Sequence, residues 1–352
     1  MLDDMNYIIK VDQYEMRNIL QEFPDQCKEA IKIGEEVGIS SHLREKEVKK
    51  VLVCGLGGSA IGGEILKNLF SKTKILFIIN RDYHLPSSID KETVTFIVSY
   101  SGNTEETISA FEEALKIGCP IFSISSGGKL QKLSEEYKVP HIKVPGGMPP
   151  RCAVGYLTLP MVRILEKILG ENLFDYKELE KILSEISKSY LPDKKTAKNL
   201  AKQTANELLG KIPLIYGVNN LTDVVAHRLK TQFNENSKVF AFWDVVPELN
   251  HNEVVPWLGE GKVDLKIFYP IFIRDREEGK KISRRMEVTQ ELIKKNKIGY
   301  SEIWTEGKCI LSRIFSSIYI GDWISFYLAI LQEVDPTPVR AIDFLKKELS
   351  KV

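Results

Sequence analysis

Cysteine is scarce and scattered in this sequence. The five residues at positions 27, 54, 119, 152 and 309 are odd in number and far apart, and no two have metal-ligand spacing. The pattern argues against a disulfide framework and for a reduced, cytoplasmic setting, with no metal site and no cofactor expected. An excess of one charge is also lacking. Lys and Arg number 49 against 48 Asp and Glu, for a formal net charge of +1. A chain built around a polyanion such as DNA carries a basic excess, so nucleic acid is not an expected partner. Long apolar runs are missing too. The most apolar stretch, Trp323 to Leu331 around Ser325, is far shorter than the roughly 20 residues that span a bilayer, so no membrane association is expected. The start, Met1-Leu2-Asp3-Asp4, is acidic and has no signal-peptide pattern.

What is present is an ordinary globular composition, 43% hydrophobic and 28% charged. The 352 residues suggest two domains at about 150 residues each. Apolar runs at 51–54, 75–79, 94–98, 120–124 and 141–144 read as strands, alternating with helical patterns at 64–69 and 107–115. That alternation implies βαβ units, hence an α/β fold with a parallel sheet flanked by helices. The second half repeats the plan. Strands are expected at 212–216, 239–242, 265–273 and 300–304, helices at 224–233 and 283–294, and a long buried helix over 314–332. Residues 12–38 read as two short helices separated at Pro24. The expected organisation is N-terminal helices over 1–48, a first α/β domain over 49–170, an exposed linking helix over 171–200, and a second α/β domain with a C-terminal helix over 201–352.

One stretch carries the most chemistry: Ser99-Tyr100-Ser101-Gly102-Asn103-Thr104-Glu105-Glu106. It places the hydroxyls of Ser99, Ser101 and Thr104 where a strand turns into a helix. Gly102 permits a tight turn, and a helix N-terminus offers unpaired N–H groups and partial positive charge to an anion. An N-cap with spare hydroxyls is the plain alternative, but three hydroxyls in six residues around a glycine favour a phosphate monoester. The second half has no such loop. After its third strand the chain reads Arg274-Asp275-Arg276-Glu277-Glu278-Gly279, which suggests one site per chain.

The earlier turn Gly55-Leu56-Gly57-Gly58-Ser59-Ala60 begins like a dinucleotide-binding loop, but Ala60 stands where a third glycine is wanted. A nucleotide-dependent oxidoreductase therefore stays open as an alternative. A second anion loop two strands later favours a small phosphorylated substrate, approached closely by the backbone of Gly57, Gly58 and Ser59. Arg151 follows the rigid Pro145–Pro150 loop and suits a phosphate or a developing oxyanion; from the sequence alone a surface salt bridge is the better reading. Glu235, between Asn234 and Asn236, could move a proton, and His251, bracketed by Asn250 and Asn252, suits transfer near neutral pH. Taken alone, each is better read as an exposed polar residue. Lys346 and Lys347 on the last helix point inward or are solvated.

Taken in order, Gly57-Gly58-Ser59, Ser99-Tyr-Ser101-Gly-Asn-Thr104-Glu-Glu, Pro149-Pro-Arg151, Phe233-Asn-Glu235-Asn, Asn250-His251-Asn-Glu and Asp335-Pro-Thr337-Pro-Val resemble the bifunctional phosphoglucose/phosphomannose isomerases. These are a branch of the phosphoglucose isomerase superfamily built from two sugar-isomerase (SIS) domains. The resemblance runs from about residue 50 to the end. The hydroxyl loop is shared by sugar-isomerase domains in general; the Asn-Glu-Asn and Asn-His-Asn-Glu pair makes the narrower match. The resemblance implies a hexose 6-phosphate substrate and a homodimer. Ser99, Ser101 and Thr104 would bind phosphate, and Gly57, Gly58 and Ser59 would lie beside the sugar. Glu235 would shuttle a proton between C1 and C2 through a cis-enediol that Arg151 stabilises. His251, contributed by the neighbouring subunit, and Lys346 (with Lys347 as its rival) would open the ring. Thr337 would leave room for rotation about C2–C3, giving mannose 6-phosphate beside glucose 6-phosphate. A non-catalytic sugar-phosphate regulator and an isomerase of another sugar phosphate remain as alternatives.

Overall fold

The structure is a computed structural model that describes residues 1–45, 47–349 and 351. The chain divides into two compact units. One comprises Glu22–Ser184 and Gly307–Ile314; the other comprises Met1–Gln21, Glu185–Glu306 and Phe315–Val352.

In the first unit five strands form a parallel sheet: β1 (Lys50–Cys54), β2 (Leu76–Asn80), β3 (Val94–Val98), β4 (Ile121–Ser125) and β5 (His141–Lys143). Their spatial order is β2-β1-β3-β4-β5. Every residue of β3 and β4 is buried, as expected of apolar runs in a parallel sheet covered by helices. Phe96 and Phe122 are register partners on these strands, and their rings stack at 5.6 Å. The chain leaves β1 toward one edge of the sheet and returns to β3 on its other side, so the topology switches direction between β1 and β3. Open parallel sheets bind ligands in the crevice at the carboxyl ends of such neighbouring strands.

The second unit holds β6 (Ile212–Val218), β7 (Phe242–Val246), β8 (Phe268–Arg274) and β9 (Ser301–Trp304), all parallel in the order β7-β6-β8-β9. Tyr216 and Phe272 meet edge to face at 5.4 Å, in a core completed by Trp257, Met286 and Ile293.

Several boundaries differ from the sequence reading. The two helices expected over 12–38 are Met16–Gln21 and Phe23–Glu36, but the break falls at Glu22; Pro24 sits in the first turn of the second helix, where its missing N–H costs nothing. The strand expected at 239–242 begins only at Phe242, because the preceding helix, Asp223–Gln232, runs on into a π-turn over Phe233–Ser237. Residues 265–267 form a 3-10 turn ahead of β8. The long buried helix is Ile310–Leu331, 22 residues whose most apolar stretch has a mean hydropathy of 1.5. It is long and apolar enough to cross a membrane, but its most apolar window is wholly buried, as in a core helix. Residues 1–21 belong with the second sheet, and the division near residue 184 falls inside the helix Tyr176–Tyr190. Long-range polar contacts hold the N-terminus there. Asp3 Oδ1 accepts from the Thr196 N–H at 2.7 Å, and the Tyr319 hydroxyl donates to Leu20 O at 2.6 Å.

Candidate active site

The first unit brings three of the predicted motifs together. β1 runs into the glycine turn and β3 into the hydroxyl loop, at the carboxyl ends of the two neighbouring strands. Ser99 is 1% exposed, and its Oγ lies 2.9 Å from Thr104 Oγ1. Thr104 is the N-cap of the helix Glu105–Ile117, yet its side chain makes no capping bond; the hydroxyl is turned to Ser99 instead. The Tyr100 N–H donates to Ser59 Oγ at 3.4 Å, which joins the hydroxyl loop to the glycine turn. A Cβ on Gly58 would stand 3.0 Å from Pro150 O, so the turn carrying Arg151 packs directly on the glycine turn. Arg151 is 3% exposed, which removes the surface salt bridge as its explanation. Ser101 is exposed at the loop's outer edge.

A second layer supports this loop. Ser126 Oγ donates to Tyr100 O at 2.7 Å, and the Leu130 N–H donates to Gly102 O at 2.9 Å. The Tyr100 hydroxyl donates to Pro145 O at 3.0 Å and accepts from the Met148 N–H at 3.2 Å. Gly102 has φ +69°, and a Cβ there would lie 1.8 Å from Gly127 O, so only glycine fits. Ser126 and Tyr100 escaped the sequence reading. The run Ser125-Ser126-Gly127-Gly128 at the end of β4 was the signal that could have found this support.

The second unit carries Glu235 and Thr337. Glu235 sits half-buried in the π-turn Phe233–Ser237; such widened turns are often found at functional sites. Hydrogen bonds seat the turn on the buried helix. Asn236 Nδ2 donates to Ser325 Oγ at 2.9 Å and Ser237 Oγ to Ser325 O at 2.7 Å. One turn earlier, Gln232 Nε2 and Arg228 Nη2 donate to Asp322, at 2.9 and 2.8 Å. Glu235 lines a cavity of about 660 Å³ with Lys238, Glu333, Asp335, Val339 and Arg340. The Thr337 N–H donates to Asp335 Oδ1 at 2.9 Å beside it.

His251 ends a 3-10 turn, Glu248–His251, and is exposed. Its neighbour Glu253 is inward and structural. It accepts from the Tyr216 hydroxyl at 2.7 Å, and burial raises its carboxyl above the usual range. Lys346 and Lys347 lie exposed on the helix Arg340–Leu349, which buries none of its residues. The structure therefore gathers Gly57, Gly58, Ser59, Ser99, Ser101, Thr104 and Arg151 in one unit, and in the other sets Glu235 on a cavity wall, with Thr337 in the segment that supplies part of that wall. It leaves His251 and the two lysines exposed.

At the position of the hydroxyl loop the second sheet has a closed substitute. Arg274, 4% exposed, donates through Nε to Glu278 at 2.8 Å and through Nη1 to Glu302 at 2.7 Å. The Asp275 N–H also donates to Glu278, at 3.2 Å. The chain's own carboxylate thus occupies the donors an anion would use. Among the described residues no cluster of three or more His, Cys, Asp or Glu could hold a metal.

Comparisons with known proteins agree with this architecture. The family described as the bacterial phospho-glucose isomerase C-terminal SIS domain matches residues 197–349. The C-terminal domain of glucosamine-fructose-6-phosphate aminotransferase from Francisella tularensis superposes with a TM-score of 0.68 at 14% identity, covering 96% of this chain and 99% of that one. The fold is thus the α/β SIS fold, present here as two parallel sheets flanked by helices. A bifunctional phosphoglucose/phosphomannose isomerase from Caldicellulosiruptor bescii is 41% identical over 94% of this chain and 97% of its own length. Another from Thermoplasma acidophilum is 36% identical over 95% and 100%. The chain belongs to the bifunctional phosphoglucose/phosphomannose isomerase family and is an isomerase.

Proposed function

We propose that this protein interconverts fructose 6-phosphate with glucose 6-phosphate and mannose 6-phosphate through a cis-enediol. The observation that carries the reading is the Ser99–Thr104 hydroxyl pair at the carboxyl edge of the sheet, in a chain that matches bifunctional isomerases over nearly its whole length. Ser99, Ser101 and Thr104 hold the phosphate, and Gly57, Gly58 and Ser59 flank the sugar. Glu235 takes the proton from C1 of the ketose and returns it to C2, and the buried Arg151 guanidinium offsets the charge of the enediolate. Thr337 leaves room for the rotation about C2–C3 that presents the other face of C2.

His251 and Lys346 assist ring opening, with His251 supplied by the second subunit of a homodimer. Both are exposed, and for His251 exposure before assembly is what a residue that completes a neighbour's site requires. Phe240, Phe242, Val255 and Leu258 bracket His251 in the sequence and are 54–80% exposed, the kind of apolar surface that association covers. The five free cysteines support a reduced, cytoplasmic setting.

The test is turnover of fructose 6-phosphate by EDTA-treated protein in deuterated water. Both aldose phosphates are expected, each with deuterium at C2, and Glu235→Gln loses turnover while retaining substrate binding. Turnover that survives Glu235→Gln removes Glu235 as the base. Mixing Glu235→Gln chains with His251→Ala chains regains activity if the histidine acts across subunits; inert mixed dimers place it in its own chain's site.

A further inference from the structure

The segment from Glu333 to Val339 follows the buried helix Ile310–Leu331 and supplies one wall of the Glu235 cavity. Two side chains determine where that wall stands. Asp335 is bonded through both oxygens. Oδ1 accepts from the Thr337 N–H at 2.9 Å, and Oδ2 accepts from the N–H groups of Gln13 and Tyr14 at 2.9 and 3.2 Å. The carboxylate thus ties the backbone of Thr337 to a stretch of chain more than 300 residues earlier. Lys238 ties the same segment to the opposite wall. Its Nζ donates to Pro336 O at 3.2 Å and to Glu235 O at 2.5 Å, so one ammonium spans the carbonyls of the Glu235 turn and of the residue before Thr337.

Lys238 is also conformationally costly. It caps the π-turn with φ +58°, in the left-handed region where glycine or asparagine fits at lower cost. A lysine there brings something those residues cannot, and what it brings in this structure is the bridge between the two walls.

We infer that Asp335 and Lys238 are positioning residues that set Thr337 against Glu235, and so set how the shared intermediate divides between its two aldose products. The inference rests on the isomerase reading above. In that reaction a proton leaves C1 and one returns to C2, so the products differ only in the face of C2 that is protonated. Rotation about C2–C3 chooses the face, and the wall that carries Thr337 bounds the space for it.

The experiment follows fructose 6-phosphate by NMR with wild-type protein, Lys238→Met, Lys238→Arg and Asp335→Asn, recording kcat, KM and the initial mannose-to-glucose product ratio. Loss of a positioning contact predicts a kcat lower by about tenfold with KM changed by less than about twofold in the Met and Asn variants. It also predicts a product ratio displaced in the same direction in both. Lys238→Arg, which can still reach both carbonyls, keeps the wild-type ratio. A purely structural role would lower the amount of active enzyme and leave the ratio alone, and that outcome in Lys238→Met overturns the inference. Lys238 is exposed, so that variant carries the test if Asp335→Asn does not fold. An inert wild-type enzyme overturns the isomerase reading and this inference with it; an active one with an unmoved ratio overturns this inference alone.

Discussion

Ser99 Oγ and Thr104 Oγ1 lie 2.9 Å apart across the turn that joins β3 to the helix Glu105–Ile117. Ser99 is buried at the strand end, and Thr104 caps the helix without using its side chain to do so. The pair is a preformed hydroxyl cradle next to a helix N-terminus. A hydrogen bond to a charged group contributes about 1.5–3 kcal/mol, and each 1.4 kcal/mol is about tenfold in affinity. Ser99→Ala and Thr104→Val are therefore each expected to raise KM for hexose 6-phosphates by about 10- to 100-fold, with a smaller effect on kcat. Steady-state kinetics and competition by inorganic phosphate check this. Unchanged KM in both variants would move the phosphate away from this loop.

Gly102→Ala tests the support behind the cradle. The new methyl would lie 1.8 Å from Gly127 O, at a residue with φ +69°. The left-handed conformation alone costs a non-glycine residue about 1–3 kcal/mol, and relieving the overlap must separate the two loops. The Leu130 N–H would then lose Gly102 O and Ser126 its bond to Tyr100 O. The variant is expected to melt at lower temperature and to lose the stabilisation that added phosphate gives the wild type. A variant with wild-type melting and phosphate response would show that the two loops adapt independently.

The hydroxyl loop and both parallel sheets were legible because their signals are local: apolar runs of strand length, a glycine where the chain must turn, hydroxyls beside it. The parts that were not legible depend on distant pairings. Nothing in the run Phe233–Ser237 announces a π-turn; it is seated by Ser325, almost ninety residues on. The first 21 residues join the second sheet because Leu2, Asp3, Gln13 and Tyr14 meet partners beyond residue 190. Arg151 could be read as a surface residue until its burial was seen. His251 and Lys346 stay exposed, so for them the motif remains the stronger guide.

Lys202 shows how the N-terminal segment is held. Its side chain is fully buried, and Nζ donates to Leu2 O at 2.6 Å, Pro192 O at 2.8 Å and Lys194 O at 2.6 Å. An ammonium has three protons, and here three carbonyls receive them, with Asp3 Oδ1 at 3.3 Å as the nearby countercharge. Lys202→Met would keep the apolar stem and strand the carbonyls. At about 1–3 kcal/mol for each unmet buried acceptor, the loss is expected to reach several kcal/mol in denaturant titration. Lys202→Arg should not rescue it, since a planar fork cannot address a three-cornered cage. A loss below about 1 kcal/mol in Lys202→Met would mean that water replaces the ammonium without penalty.

His141 is expected to make the first unit less stable as pH falls. Its Nδ1 lies 2.8 Å from Ser123 Oγ, and its Nε2 lies 3.3 Å from Ser125 Oγ. The hydroxyl protons assign the ring's role. Ser134 Oγ donates to Leu130 O at 2.7 Å and so accepts from Ser123, whose oxygen is left to accept from an Nδ1–H. Ser125 in turn donates to Gly127 O at 2.7 Å, in the loop that supports Gly102. Of the two neutral tautomers the Nδ1–H form is the one Ser123 can accept from; Ser125, its proton given to Gly127 O, has none to offer Nε2, so burial rather than this contact favours the neutral ring. Burial lowers the His141 pKa below the ordinary value; Glu135 acts in the opposite direction and Lys143 in the same one. Because the folded state holds the ring neutral, the unfolded chain binds the extra proton first. The contribution of His141 to stability is then complete above the ordinary histidine pKa of about 6.5 and is lost as pH falls below it. Melting temperatures of wild type and His141→Gln between pH 8 and pH 5 should accordingly converge toward the acid end. Nitrogen-15 shifts of the ring should report the Nδ1–H tautomer at neutral pH. A gap that widens on acidification would reverse the sign and mean that the buried ring is held as a cation.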